Sequence, residues 1–131
     1  MTQRVATQLM FVGQGSAALE LYAATFPQLK IVSLDRYGPN QPGAEGTVKR
    51  AEVSLGGHTF FVIDSPVEHA FTFTPSISLF VDCDTAAELD AAFAALSEGG
   101  QVLMPIDNYG FSQRFGWCND RFGVSWQLNC A

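Results

Sequence analysis

Apolar and polar positions along the chain switch between a period near 2 and a period near 3.6, and they do so in the same order twice. Residues 5–12 alternate loosely and carry Val5, Leu9, Met10, Phe11 and Val12, which predicts a half-buried strand. Gly13 and Gly15 break it, and Ser16 stands where a helix N-cap belongs. Ala18, Leu21, Tyr22 and Thr25 then recur at helical spacing, so residues 17–26 read as a helix that Pro27 stops. Strands follow over 30–37, 47–55 and 58–63, the last two joined by Gly56-Gly57, a hairpin signal.

The order then starts again. Residues 76–82 predict a strand, and Thr85 with Glu88 forms the S/T-x-x-E box that opens a helix. That helix covers 86–97, with Leu89, Phe93 and Leu96 on one face, and Gly99-Gly100 ends it. Strands over 101–104, 111–118 and 124–129 complete the pattern, with Asn119 to Gly123 as a turn whose glycine suits positive φ. Residue types repeat along with the order. Leu19 to Phe26 matches Glu88 to Ala95, and Gly57 to Val62 matches Gly123 to Leu128. The pattern predicts an α+β fold of two tandem βαβββ modules, about 5–64 and 76–130, within a single domain over 1–131. Two curved sheets with helices outside would leave an inner cleft, a natural ligand site.

Composition narrows the partners. The net charge of −6 speaks against nucleic acid, since phosphate binding needs a basic surface, and tolerates a cationic ligand. Cys83, Cys118 and Cys130 are odd in number and follow no metal spacing, so they read as reduced thiols of a cytoplasmic protein. No run approaches the roughly 18 apolar residues of a membrane span, and the N-terminus lacks the apolar stretch of a secretory signal. Gly13-Gln14-Gly15 is a lone G-x-G, read as a turn rather than a nucleotide cradle. Cys118 has no histidine near it in sequence and reads as an inert thiol.

Four stretches resemble the PhnB-like branch of the glyoxalase/bleomycin-resistance (vicinal oxygen chelate) superfamily. They are Leu9-Met10-Phe11-Val12 with the helix up to Pro27, the hairpin Leu55 to Phe60, Ile77 to Asp82 leading into the second helix, and Asp120 to Gln127. The resemblance spans nearly the whole chain, and its last stretch is the most specific. It implies the glyoxalase/bleomycin-resistance-like fold and a homodimer. It also implies a cleft that, in metal-binding members, takes His, Gln or Glu ligands from the first and last strands of each half. Those positions carry over to Thr7, Phe61, Ser76 and Gln127. Phenylalanine cannot ligate a metal, and neutral Thr and Ser are poor ligands, so only Gln127 keeps ligand character. Some PhnB-like sequences carry a ubiquinone-pathway methyltransferase label, yet the chain is too short for a doubly wound methyltransferase domain beside its own repeat.

The expectation is therefore a metal-independent binding protein for a small molecule, with no cofactor, whose site comprises Thr7, Phe11, Phe61, Ser76 and Gln127. Thr7, Leu9 and Phe11 are expected on the cleft face of the first strand. In the last strand Ser125 shares the face of Gln127, and Trp126 points to the helix. Whether the protein is an enzyme stays open. A metal-dependent lyase, dioxygenase or transferase would need ligands elsewhere, such as Glu52 or His69, with Glu68 beside it. Glu52 reads alternatively as an ion pair with Arg50. A dimeric scaffold with a filled cleft is the third reading.

Overall fold

Among the described residues ten elements form, in the order that the alternating periods predict. The computed structural model describes residues 3–131; Met1 and Thr2, the start of the N-terminal stretch read above, lie outside the described residues. Two compact units result, one ending at His69 and the other beginning at Ala70.

The first unit contains β1 (Thr7–Phe11), α1 (Gly15–Thr25), β2 (Lys30–Arg36), β3 (Val48–Leu55) and β4 (His58–Asp64). Its sheet runs β1-β4-β3-β2, with β1 parallel to β4 and the other pairs antiparallel. Gly56 and Gly57 both take positive φ, 58° and 82°, as a two-residue hairpin turn that matches strand twist requires. The core lies between α1 and one sheet face: Leu9, Phe11, Val48, Ala51, Val53, Phe60 and Val62 from the strands meet Ala18, Leu19 and Tyr22. Tyr22 packs edge-on against Phe60 at 6.5 Å between ring centroids. β2 is one of the two edge strands and is exposed along its whole length.

The helix start differs from expectation. Ser16 is not the N-cap; α1 begins at Gly15, behind Gln14, which makes no side-chain cap bond. The cap comes from the far end of the unit. The buried Asp64 carboxylate accepts from Gly15 N at 2.9 Å and, through its other oxygen, from Val48 N at 2.8 Å. A carboxylate at a helix N-terminus satisfies an orphan donor and the helix dipole together.

The second unit repeats the plan with β5 (Leu79–Asp82), α2 (Ala86–Ser97), β6 (Gln101–Asp107), β7 (Arg114–Asn119) and β8 (Ser125–Cys130). The sheet runs β5-β8-β7-β6, again with its first pair parallel. Thr85 caps α2 as expected, its side chain accepting from Glu88 N at 3.1 Å, while Glu88 reaches back to Asp84 N at 3.3 Å. β5 starts three residues later than expected, so Ser76 lies outside it. β6 runs on through Pro105, which an edge strand with irregular register tolerates. Leu89, Ala92, Phe93 and Leu96 of α2 pack on Cys118, Trp126 and Leu128. Gly116 has to be glycine for this packing, because a Cβ there would stand 2.6 Å from Cε1 of Phe93.

The second unit also buries a carboxylate, Asp120, but this one ties its own turn to β8 rather than capping a helix. It is buried; Oδ1 accepts from Phe122 N at 2.9 Å and Val124 N at 3.1 Å, and Oδ2 accepts from the Trp126 indole at 3.0 Å. No helix of the described residues is long and apolar enough to cross a membrane.

Candidate functional site

Each sheet has one face against its helix and one face turned away, and strand register decides which side chains go where. In the first unit Thr7, Leu9 and Phe11 pair with Phe60, Val62 and Asp64. Phe60 touches Tyr22, and Asp64 caps α1, so this is the helix face. The expectation that Thr7, Leu9 and Phe11 line a cleft is therefore corrected. The three do share a face, but the opposite one. Thr7 bonds the exposed His58 ring at 3.0 Å, and Phe11 is buried in the core. The reason is a single step of parity: a strand read one residue out of phase exchanges its two faces.

The face away from α1 carries Gln8 and Met10 on β1, Phe61 and Ile63 on β4, and Arg50 and Glu52 on β3. Phe61 is thus the one first-unit residue of the expected set on that face. Its ring receives two guanidinium groups, Arg50 at 4.0 Å and Arg4 at 5.4 Å from the centroid. Glu52 pairs with Arg4 at 3.1 Å, not with Arg50 as the sequence suggested. Arg50 instead holds its guanidinium over the Phe61 ring.

In the second unit Leu79 and Val81 pair with Trp126 and Leu128 on the helix face, and Phe80 and Asp82 pair with Gln127 and Asn129 on the other. Trp126 points to α2 and Ser125 shares the Gln127 face, as alternation implied. Four neutral polar groups meet on that face. The Trp117 indole N–H donates to Ser125 Oγ at 2.8 Å, the Ser125 and Ser78 hydroxyls lie 2.7 Å apart, and Gln127 Nε2 donates to Ser78 Oγ at 3.2 Å. Ser76 is not among them: it is exposed in the segment before β5 and bonds Thr74 Oγ1 at 3.1 Å. Its parity was right, since Ser78 is two residues on, but the strand begins later than the alternation suggested.

Proton accounting gives this network a direction. Ser125 is 2% exposed, so its hydroxyl proton needs a protein acceptor, and Ser78 Oγ is the hydroxyl within reach. An unmade bond there would cost about 1–3 kcal/mol. Ser78 then accepts from both Ser125 and Gln127, and its own proton points away from both. Among the described residues Gln127 Oε1 has no hydrogen-bond partner, and it is not closed off from solvent. An available donor and an available acceptor therefore stand side by side. Phe80, directly cross-strand from Gln127 and 56% exposed, lies next to them. Beyond it an aromatic cluster continues: Phe80 and Tyr109 both pack on Phe115, with Phe111 5.0 Å from the same ring. Ser78, Phe80 and Trp117 were missed from sequence. Parity from Gln127 reaches Ser125, but Trp117 joins only through the β7–β8 register.

His69 bonds Ser65 Oγ at 2.8 Å in an exposed turn, next to the exposed Glu68. The G-x-G turn offers no free anion cradle, because Asp64 already occupies Gly15 N. Burial pushes the Cys118 thiol up to about 12 and the Cys83 thiol up to about 11, so both are protonated and inert at neutral pH.

A divalent ion fits poorly. On the ligand-bearing strands of the first unit the face away from α1 offers one amide, Gln8, beside Phe61, Met10 and Ile63. In the second unit it offers Gln127 opposite Phe80, and the Asp82 carboxylate is bonded to Asn129 at 2.8 Å. Among the described residues no three His, Cys, Asp or Glu side chains gather in a group able to hold a metal.

Comparison with known proteins places this geometry in a lineage. The family model for 3-demethylubiquinone-9 3-methyltransferase matches residues 3–129. The solved structure of the PhnB protein from Bacillus cereus is 50% identical with a TM-score of 0.93, covering 98% of this chain and 100% of that one. Protein PA1353 from Pseudomonas aeruginosa is 26% identical with a TM-score of 0.83, covering 98% of each chain. The fosfomycin resistance protein FosX from Mesorhizobium loti, 12% identical with a TM-score of 0.62, shares the fold over 100% of this chain and 94% of its own. No curated protein matches. With nearly the whole chain matched and both modules in place, the protein belongs to the 3-demethylubiquinone-9 3-methyltransferase (PhnB-like) family and has a glyoxalase/bleomycin-resistance-like fold.

Proposed function

We propose that this protein binds a small, largely flat organic molecule without a metal or other cofactor, and acts by holding it. The observation that carries this reading is the network Trp117–Ser125–Ser78–Gln127 beside the exposed Phe80 ring. Its polar groups are all neutral. A hydroxyl, an amide and an indole can orient a ligand by shape and hydrogen bonds, but none of them takes up a proton near neutral pH as a general base must. The family description names a methyl transfer, yet the one glycine-rich turn is filled by the protein's own carboxylate, so nothing on these residues supports a donor nucleotide there.

The test is elemental analysis of untagged protein purified without chelator, paired with a thermal-shift titration of Mn, Ni, Zn and Fe ions. The expected result is no stoichiometric metal and no stabilisation. One metal per chain, with a shift that grows with ion concentration, would defeat the proposal and send the search to Glu52 and His69 as ligands.

The same proposal has the protein work as a homodimer. Large apolar side chains stand exposed on edge strand β2: Ile31, Val32 and Leu34. Exposed apolar edges of this kind invite a partner. Sedimentation equilibrium at the dimer mass is the expected outcome, and a monomer mass at micromolar concentration would refute it.

A further inference from the structure

We infer that the face of the second sheet is built to read a cis-amide edge, the paired C=O and N–H of a flat lactam or related heterocycle. The inference rests on the small-molecule reading above and specifies its ligand class. Three features carry it. The burial of Ser125 makes its hydroxyl the donor to Ser78, and Gln127 donates to the same oxygen, so what Ser78 still offers is its proton. Gln127 spends one N–H on Ser78, so what its amide offers beside that hydroxyl is the Oε1 lone pairs. Side by side, an outward donor and an outward acceptor complement a ligand edge that presents an acceptor next to a donor. A carboxylate presents two acceptors and would set an oxygen against Oε1. An amine presents donors alone and would meet the Ser78 proton. A cyclic amide, held cis by its ring, satisfies both groups at once.

The third feature is rigidity. The Trp117 indole pins Ser125, and the burial of Ser125 fixes the direction of its proton, so the Ser78 donor is set before any ligand arrives. Phe80, directly cross-strand from Gln127 and exposed, supplies an apolar ring surface for the body of the heterocycle.

The probes are carbostyril, a bicyclic lactam with both edge groups, and N-methylcarbostyril, which keeps the plane and the carbonyl and lacks the N–H. Nitrogen–proton NMR of the full-length protein follows the Trp117 indole N–H and the Gln127 side-chain amide. Carbostyril is expected to shift both signals saturably, and N-methylcarbostyril to bind about tenfold more weakly, the loss expected when a site's acceptor is left unpaired. Ser78→Ala should weaken carbostyril by a similar factor. Gln127→Met should cut the preference for carbostyril over its methylated analogue to near unity. Should Ser78→Ala fail to fold, the comparison of the two lactams on the unaltered protein still decides. Equal affinities would overturn the edge reading and leave the small-molecule proposal standing. Failure of carbostyril to move the Trp117 signal would overturn it as well, while the small-molecule proposal itself falls only on the metal analysis.

Discussion

Two buried carboxylates, Asp64 and Asp120, are the residues on which each unit's local order depends most. Both are 2% exposed and both spend their oxygens on several donors: the distant helix start and strand start for Asp64, its own turn and the following strand's indole for Asp120. Hydrogen bonds to a charged group contribute about 1.5–3 kcal/mol each, so Asp64→Ala should lower the unfolding free energy by about 3 kcal/mol in urea titration. Asp120→Ala should cost at least as much. Glu52→Gln, which breaks an ion pair with the half-exposed Arg4, should change stability by less than about 1 kcal/mol. Equal effects from all three would mean that burial does not set the weight of these charges. The role of Asp64 was illegible in the sequence, because an aspartate ending a strand looks like any turn aspartate until the distant segments it ties together are brought within 3 Å; Asp120 acts within the turn that the sequence did mark.

At the scale of elements, the two helices show what local sequence can and cannot specify. Thr85 and Glu88 are close in sequence, and their box forms as read, so Thr85→Ala should cost about 1 kcal/mol. Ser16 sits at an equally plausible cap position, but its helix is capped from Asp64, about fifty residues away. Ser16→Ala should therefore stay within about 0.5 kcal/mol. A loss from Ser16→Ala as large as that from Thr85→Ala would contradict this assignment. Gly116→Ala belongs to the same scale. It sets a methyl against the Phe93 ring, and about 1–3 kcal/mol of overpacking is expected as α2 is pushed off its sheet. Strand limits were legible to within a few residues because alternation and turn residues are local signals. The face of β1 was not, because its Leu9-Met10-Phe11-Val12 run satisfies either phase, and only the pairing of Thr7 with Phe60 selects one.

The whole molecule adds a pH dependence. Cys118 and Cys83 are held up, chiefly by burial, at about 12 and about 11 from an ordinary 9.0. Above about pH 9 the unfolded chain releases these protons while the folded chain keeps them. The folded state then binds more protons, and stability falls as pH rises through that window. Below pH 9 the contribution is fully present. Denaturation midpoints measured from pH 7 to pH 10.5 should show the decline at the alkaline end, and Cys118→Ala should flatten it. A midpoint that stays level to pH 10.5 would remove these thiols from the account.

By itself the sequence determined the repeated strand–helix–strand order, the hairpins, the α2 cap and the α+β family. Each of these follows from side-chain periodicity or from conformational preferences a few residues long. Tertiary structure alone decided the phase of β1, the cap of α1, the placing of Arg50 over Phe61, and the joining of Ser78, Ser125, Trp117 and Gln127 into one directed network. Those depend on register between strands distant in sequence, where one residue of slip exchanges the two faces of a sheet and with them every group a ligand could meet.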